Sequence, residues 1–291
     1  MTDSRFDAQW AISGSFCVRK RSHFMLILYY TRLSIYNKYA KIYNQVAYGP
    51  NWKFKADLLA KYLDGVFQRY AKRKVKEILD VGCGTGVPAI ALGELGYRVT
   101  GIDISPVMLG IAKQHSQHLS NVKFIKLDWN KLSKEKLGKR FDAIIYRGAS
   151  IEHNESIRKV VELFRNFYRL LKKGGVIYVT LRNWETKFPQ IKRRPIEFAS
   201  DHPICVGSQI YIPIYRYMWK NSNLIVDFIF ISFNTSQSNG CSKKIFRTKV
   251  LGITQELFMK IIENFNFKEV HKLHAKEKMM GNKHKVYLLV K

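Results

Sequence analysis

Ile78-Leu-Asp-Val-Gly-Cys-Gly-Thr-Gly-Val-Pro-Ala-Ile90 is the stretch that decides how this chain folds. A short apolar run reaches Asp80, glycines at Gly82, Gly84 and Gly86 turn the chain sharply, and Pro88 opens an amphipathic segment. The pattern predicts a strand, a glycine loop and a helix N-terminus. Such a loop lets a ligand approach the backbone more closely than any side chain would permit.

Working outward, strands and helices alternate. Apolar runs predict strands at Ile78 to Val81, Arg98 to Asp103, Val122 to Leu127, Phe141 to Tyr146 and Val176 to Leu181. Between them, Pro88 to Leu95 reads as a helix, and Ser105 caps another that Pro106 opens. The strongest helical period is Ile157, Val160, Val161, Phe164, Tyr168 and Leu171, with Gly174-Gly175 as the expected stop. This alternation predicts an α/β fold: a Rossmann-like, seven-stranded, mostly parallel sheet with helices on both faces, closed by strands at Phe267 to Leu273 and Val286 to Val290. An antiparallel β meander is inserted, with strands at Ile210 to Trp219, Leu224 to Phe233 and Lys243 to Leu251 and a helix capped by Thr254 after it.

The expected organisation is a tail or loosely docked extension over 1–31, a helical lid segment over 32–74, a core over 75–203 and 252–291, and the insertion over 204–251 above the site. The lid segment is aromatic (Tyr36, Tyr39, Tyr43, Tyr48, Trp52, Phe54) and broken by Gly49-Pro50. Ordinary packing against the core is the alternative role for it.

Composition bounds the rest. The 291 residues are enough for a sizeable core. The longest apolar run, Phe24 to Tyr30, is too short to cross a bilayer, and Cys17, Cys83, Cys205 and Cys241 are scattered without metal-ligand spacing. A reduced, cytoplasmic protein without a metal is the expectation. The 50 Lys and Arg against 22 Asp and Glu give a formal charge of +28. That balance admits a polyanion such as RNA, yet the basic clusters at 72–76, 134–140, 192–194, 243–249 and 272–285 are dispersed and no RNA-binding motif accompanies them.

Spacing leaves two cofactors open. A dinucleotide is read by GxGxxG with an acid about 20 residues on. Here the glycines read GxGxG, and Asp103 ends the second predicted strand. The string Asp80-Val-Gly-Cys-Gly-Thr-Gly86, followed by Gly101-Ile-Asp-Ile-Ser105, resembles the class I S-adenosylmethionine-dependent methyltransferases. So does the order of elements from about 76 to 181 with the two last strands. The resemblance implies S-adenosyl-L-methionine as cofactor, with Asp80, Gly82, Cys83, Gly84 and Gly86 under its aminoacyl part. It further implies Asp103 on the ribose hydroxyls, Ile104 on the adenine, and Asp128 and Trp129 at the adenine edge, and Met108 on the next helix is a further candidate for cofactor binding. Asp103 capping the next helix and Asp80 closing the turn are the residue-level alternatives.

The methyl acceptor is less legible. After the fourth strand stands Tyr146-Arg-Gly-Ala-Ser-Ile-Glu-His153, with neither the Asp/Asn-Pro-Pro-aromatic string of base-amine methylation nor a Pro-Cys pair. Thr180-Leu-Arg-Asn-Trp-Glu185 resembles the glycine and sarcosine N-methyltransferase branch, which implies Arg182 as a clamp for a substrate carboxylate. A salt bridge from Arg182 to Glu185 is the alternative. His153 is the candidate general base, with Tyr146, Tyr43 and Tyr48 as groups that orient an acceptor. The expected function is methyl transfer to a small molecule at an amine nitrogen, the acceptor carrying a carboxylate. RNA or protein methylation, a nicotinamide-dependent reductase and a binding-only regulator are the competing readings, and oligomeric state is not legible.

Overall fold

The computed structural model describes residues 36–37, 39–148, 150–199, 203–220, 223–235, 241–273 and 284–291. The extension expected over 1–31 lies outside the described residues, as do Ala149 and residues 221–222 of the turn in the insertion.

The first predicted strand is β1 (Glu77–Val81). Parallel neighbours flank it: β2 (Arg98–Asp103) and then β3 (Val122–Lys126) on one side, β4 (Phe141–Tyr146) and then β5 (Leu171–Arg182) on the other. Five strands then leave the sheet: β6 (Ile196–Ala199), β7 (Ile204–Val206), β8 (Gln209–Lys220), β9 (Asn223–Asn234) and β10 (Cys241–Val250). The last two, β11 (Glu269–Leu273) and β12 (His284–Val290), return, and β12 pairs antiparallel with β5. The sheet order is β11-β12-β5-β4-β1-β2-β3. The chain reverses its direction of winding between β1 and β4, and in such sheets ligands bind at the strand C-termini beside that reversal.

Alternation along each strand sends side chains to two separate cores. Leu63 and Phe67 of α2 (Trp52–Tyr70) and Leu92 of α3 (Val87–Glu94) pack on Ile78, Ile145 and Tyr178. Leu109 and Ala112 of α4 (Pro106–His115) join that face. Opposite it, Leu163 and Phe167 of α6 (Ile157–Leu170) and Phe258 of α8 (Gln255–Ile262) cover Leu79, Ile144 and Tyr287. A short α1 (Tyr43–Tyr48) precedes α2, and α5 (Lys134–Leu137) precedes β4. Each large side chain buried this way contributes roughly 1.5–3 kcal/mol. Caps fall where the sequence places them: Ser105 Oγ accepts from Met108 N at 3.1 Å and Thr254 Oγ1 from Leu257 N at 3.2 Å.

Two expectations need correction. Gly174-Gly175 does not end the long helix: α6 stops at Leu170, and β5 begins at Leu171 and runs through both glycines. The pairing of β4 with β5 is irregular there, and a Cβ on Gly175 would stand 2.6 Å from the Asp142 carbonyl oxygen. The glycine therefore serves a close approach inside the strand. In addition, α7 (Trp184–Arg193) and the strands β6 and β7 occupy a segment that the sequence left without regular structure.

The inserted strands form an antiparallel sheet ordered β10-β9-β8-β6, with β7 also on β8. Trp184 and Ile191 of α7 pack against Tyr217, Leu224 and Val226 of that sheet. On another part of the same sheet, Ile204 and Phe230 meet Tyr39 and Ile42 of the aromatic N-terminal segment. No helix among the described residues is long and apolar enough to cross a membrane.

Candidate active site

A pocket opens at the C-terminal ends of β1, β2 and β4 and is roofed by Tyr36, Tyr43 and Tyr48. Its floor is the glycine loop, where Gly82, Gly84 and Gly86 have φ of 69°, 55° and 77°. Gly86 has a second constraint, because a Cβ there would stand 2.6 Å from the Phe124 ring. Gly82 N and Cys83 N donate to Ile102 O at 2.9 and 3.0 Å, which ties the loop to β2.

Asp103, at the end of β2, completes that tie. Its Oδ2 accepts from Gly84 N at 2.9 Å and its Oδ1 from Ser105 N at 2.8 Å. Burial pushes its carboxyl above the usual range, and the N–H groups of Ser105, Gly84 and Ile104 pull it back. Asp80 is more extreme. It is 1% exposed, its Oδ2 has no hydrogen-bond partner among the described residues, and burial pushes its pKa up to about 7 against the pull of Arg147. A buried carboxylate oxygen left unsatisfied in a pocket wall favours a cationic donor from a ligand.

Arg147 is the residue directly after β4, 8% exposed, and the only Lys or Arg among the described lining residues. Its Nη1 donates to the Tyr48 hydroxyl at 3.0 Å, and its guanidinium lies 5.7 Å from that ring's centroid. Burial raises the Tyr43 and Tyr48 hydroxyls, so both stand neutral as donors or acceptors. Across the pocket, Asp128 Oδ1 accepts from Asn130 N at 2.9 Å and caps the turn that carries Trp129. Trp129 covers Gly82, 3.2 Å from where a Cβ would be, and meets Tyr146 edge-on at 5.8 Å. His153 Nε2 and the Tyr36 hydroxyl are 3.1 Å apart.

Of the residues singled out from the sequence, the pocket brings together Asp80, Gly82, Cys83, Gly84, Asp103, Ile104, Met108, Asp128, Trp129 and His153. Gly86 lies just behind, at the start of α3. Tyr146 does not line it: the ring is 1% exposed, wedged between Trp129 and Phe167, and its hydroxyl accepts from Asn154 Nδ2 at 3.0 Å.

Arg182 is not at the pocket either, and it does not pair with Glu185. Its Nε donates to both oxygens of buried Glu152 at 3.2–3.3 Å and its Nη1 to the Tyr217 hydroxyl at 2.6 Å. Trp184 Nε1 donates to the same carboxylate at 2.9 Å. Glu185 instead pairs with Lys285 at 2.9 Å and accepts from Gln255 N at 2.6 Å. Arg182 thus joins β5 to the inserted sheet, and its charge is committed. The sequence reading also missed Arg147 as a lining cation, although its place one residue past a strand that ends at the ligand side was a usable signal. None of the described residues of the inserted sheet lines the pocket. That sheet packs on the tyrosine segment and, through Tyr217 and Arg182, is joined to Glu152 in the turn that carries Ser150 and His153.

Residues 78–175 match the family model described as a methyltransferase domain. The chain is 31% identical over 144 residues to a ubiquinone biosynthesis O-methyltransferase of Dechloromonas aromatica (strain RCB), an alignment covering 47% of this chain and 58% of the relative. It is 33% identical over 125 residues to a glycine/sarcosine N-methyltransferase of Halorhodospira halochloris, covering 42% of this chain and 46% of the relative. The chain therefore spans only about half the length of these curated relatives. The structure of DesVI from Streptomyces venezuelae superposes with a TM-score of 0.67 at 16% identity, covering 87% of this chain and 98% of that one, which shows a shared fold.

Proposed function

We propose that this chain, whose residues 78–175 form a methyltransferase domain on a Rossmann-like sheet, transfers the methyl group of S-adenosyl-L-methionine to an amine nitrogen of a small molecule. The observation that carries the cofactor assignment is the charge arrangement of the lining. Asp80, whose Oδ2 is unsatisfied among the described residues, and Arg147, whose charge pulls on that carboxyl, line the pocket together with Asp103 and Asp128. That arrangement suits a ligand with an ammonium and a carboxylate at one end and a diol and an aromatic amine at the other. Asp80 would take the ammonium, Arg147 the carboxylate, Asp103 the ribose hydroxyls and Asp128 the adenine amine. When bound, the cofactor supplies an electrophilic methyl on a sulfonium.

The chain's own contribution is alignment and exclusion of water. The tyrosine roof covers the pocket, and neutral phenol rings present electron-rich faces suited to a cation. His153, within hydrogen-bond distance of the Tyr36 hydroxyl, would take a proton from an incoming ammonium, so that the nitrogen arrives with a lone pair. The amine reading draws support from the N-methyltransferase relative. The O-methyltransferase relative shows that similar sequence also serves oxygen acceptors. Carboxylate recognition by Arg182 is withdrawn, because that side chain is committed to Glu152.

The test is incubation of the protein with methyl-labelled S-adenosyl-L-methionine and a fractionated cell extract. Label should enter the small-molecule amine fraction. Label confined to RNA, to protein or to phenolic products would overturn the reading of the acceptor, and no cofactor turnover in any fraction would overturn the activity.

A further inference from the structure

At the end of the sheet opposite the pocket, the starts of four neighbouring strands carry a row of cations. In sheet order, β5 carries Lys172 and Lys173 directly after its first residue, β4 is preceded by Lys139 and Arg140, β1 by Lys74 and Lys76, and β2 begins at Arg98. Few acids interrupt the row, and each spaces its cations more than it cancels them. Asp142 Oδ1 pairs with Arg73 Nε at 2.7 Å and Lys172 Nζ at 3.0 Å, while its Oδ2 accepts from the backbone of Lys76 and Glu77 at 3.0 and 2.9 Å. Glu77 pairs with both Arg98 and Lys139. Lys74, Lys76, Arg140 and Lys173 are exposed and have no ion pair among the described residues.

We infer that this row is a docking surface for the phosphate backbone of a nucleic acid. Adjacent strands are about 4.8 Å apart, so four strands space the cations over about 14 Å. One strand of a duplex advances about 3.4 Å of helix axis per phosphate and an extended single strand more, so a row of this length matches a short run of successive phosphates. The sheet fixes in a line the strand starts that carry these cations, which matches a polymer of fixed charge spacing better than a fluid lipid surface. A basic patch on a membrane also needs a second, apolar or acyl anchor for stable attachment, and no exposed large hydrophobic side chain lies within the row. The pocket is at the other end of the strands. The phosphates held here are therefore apart from the group that the pocket methylates.

The experiment is fluorescence anisotropy with a labelled single-stranded RNA of mixed sequence, from 50 to 200 mM salt, with phosphatidylserine vesicles as a parallel arm. Two triple variants of equal charge change are compared: Lys74→Glu with Arg140→Glu and Lys173→Glu, against Lys192→Glu with Arg193→Glu and Arg194→Glu on α7 and its C-cap. Circular dichroism and retained S-adenosyl-L-methionine binding confirm that each is folded, and the single Lys74→Glu serves if the first triple is not. The row triple should weaken RNA binding by at least about 30-fold and lower the salt slope by about 2, at about 0.7 per phosphate contact for a single strand. The α7 triple should change it by less than about 3-fold. Equal weakening by both triples, no RNA binding by the unmodified protein, or vesicle binding in preference to RNA would each overturn the inference.

Discussion

Replacing Asp80 by Asn should stabilise the protein without ligand at pH 8 while weakening its affinity for the cofactor about 10- to 100-fold. Asp80 is fully buried, and its carboxyl is raised from 3.8 to about 7. A carboxyl raised on folding binds more protons in the folded state between those two values. Stability is therefore lost as pH rises through that window, and the loss is complete above about 7. Three units at 1.36 kcal/mol each amount to about 4 kcal/mol. Asn keeps the shape of the protonated acid, so at pH 8 it should recover most of that, or roughly 8 °C in Tm for a chain of this size. At pH 4.5 the two proteins should melt within about 2 °C of one another. Binding should show the opposite trend. The ligand ammonium needs an ionised Asp80, and a charge-assisted bond of about 1.5–3 kcal/mol corresponds to one to two pH units. Affinity for S-adenosyl-L-methionine should accordingly fall about tenfold per unit below pH 7 and level off above it. The assays are differential scanning fluorimetry and calorimetry across pH 4.5–8.5. A Tm difference independent of pH, or an affinity flat across the range, would refute the assignment of Asp80.

Other expectations test neighbouring parts of the structure. Gly86→Ala places a Cβ at φ 77° and 2.6 Å from Phe124, so it should cost about 2–4 kcal/mol in urea unfolding, and a stability within 0.5 kcal/mol of the unmodified chain would contradict the loop geometry. Arg182→Ala leaves Glu152 buried without its cation and should cost about 3–5 kcal/mol, while cofactor affinity stays within about twofold. A large loss of affinity with unchanged stability would restore Arg182 as a ligand clamp. Arg147→Met keeps much of the side-chain volume but removes the lining cation, and it should weaken cofactor binding by about 10- to 100-fold in the same calorimetric titration, at about 1.5–3 kcal/mol for a charged hydrogen bond. Unchanged affinity would remove Arg147 from the cofactor's contacts.

The sheet was legible because its signals are local. Apolar runs of strand length, a glycine loop, and caps at Ser105 and Thr254 each specify their own few residues, and β2, β4 and the long inserted strands fall within a residue or two of expectation. The start of β5 was missed because Gly174-Gly175 reads as a helix stop, whereas the requirement it meets is contact with Asp142 on the neighbouring strand. The segment α7 to β7 was missed because its order comes from packing on the inserted sheet. At the site, the acids of β1 and β2 were found because they end strands at the ligand side of the sheet. Arg182 was misplaced for the converse reason. Its partners Glu152 and Tyr217 are 30 and 35 residues away in sequence, and only the fold brings them within reach. Arg147 went unread because Tyr48, which orients it, is 99 residues upstream.

The measurement that bears most directly on the pocket is a calorimetric titration of S-adenosyl-L-methionine into the unmodified chain and into Asp103→Ala, with NADH titrated in parallel. The unmodified chain should bind S-adenosyl-L-methionine and not NADH. Loss of the ribose contacts and of the Gly84 tie should weaken binding at least about 30-fold in the variant. Equal affinity in the two proteins, or a chain that binds NADH and not S-adenosyl-L-methionine, would contradict the assignment of this loop to a sulfonium cofactor.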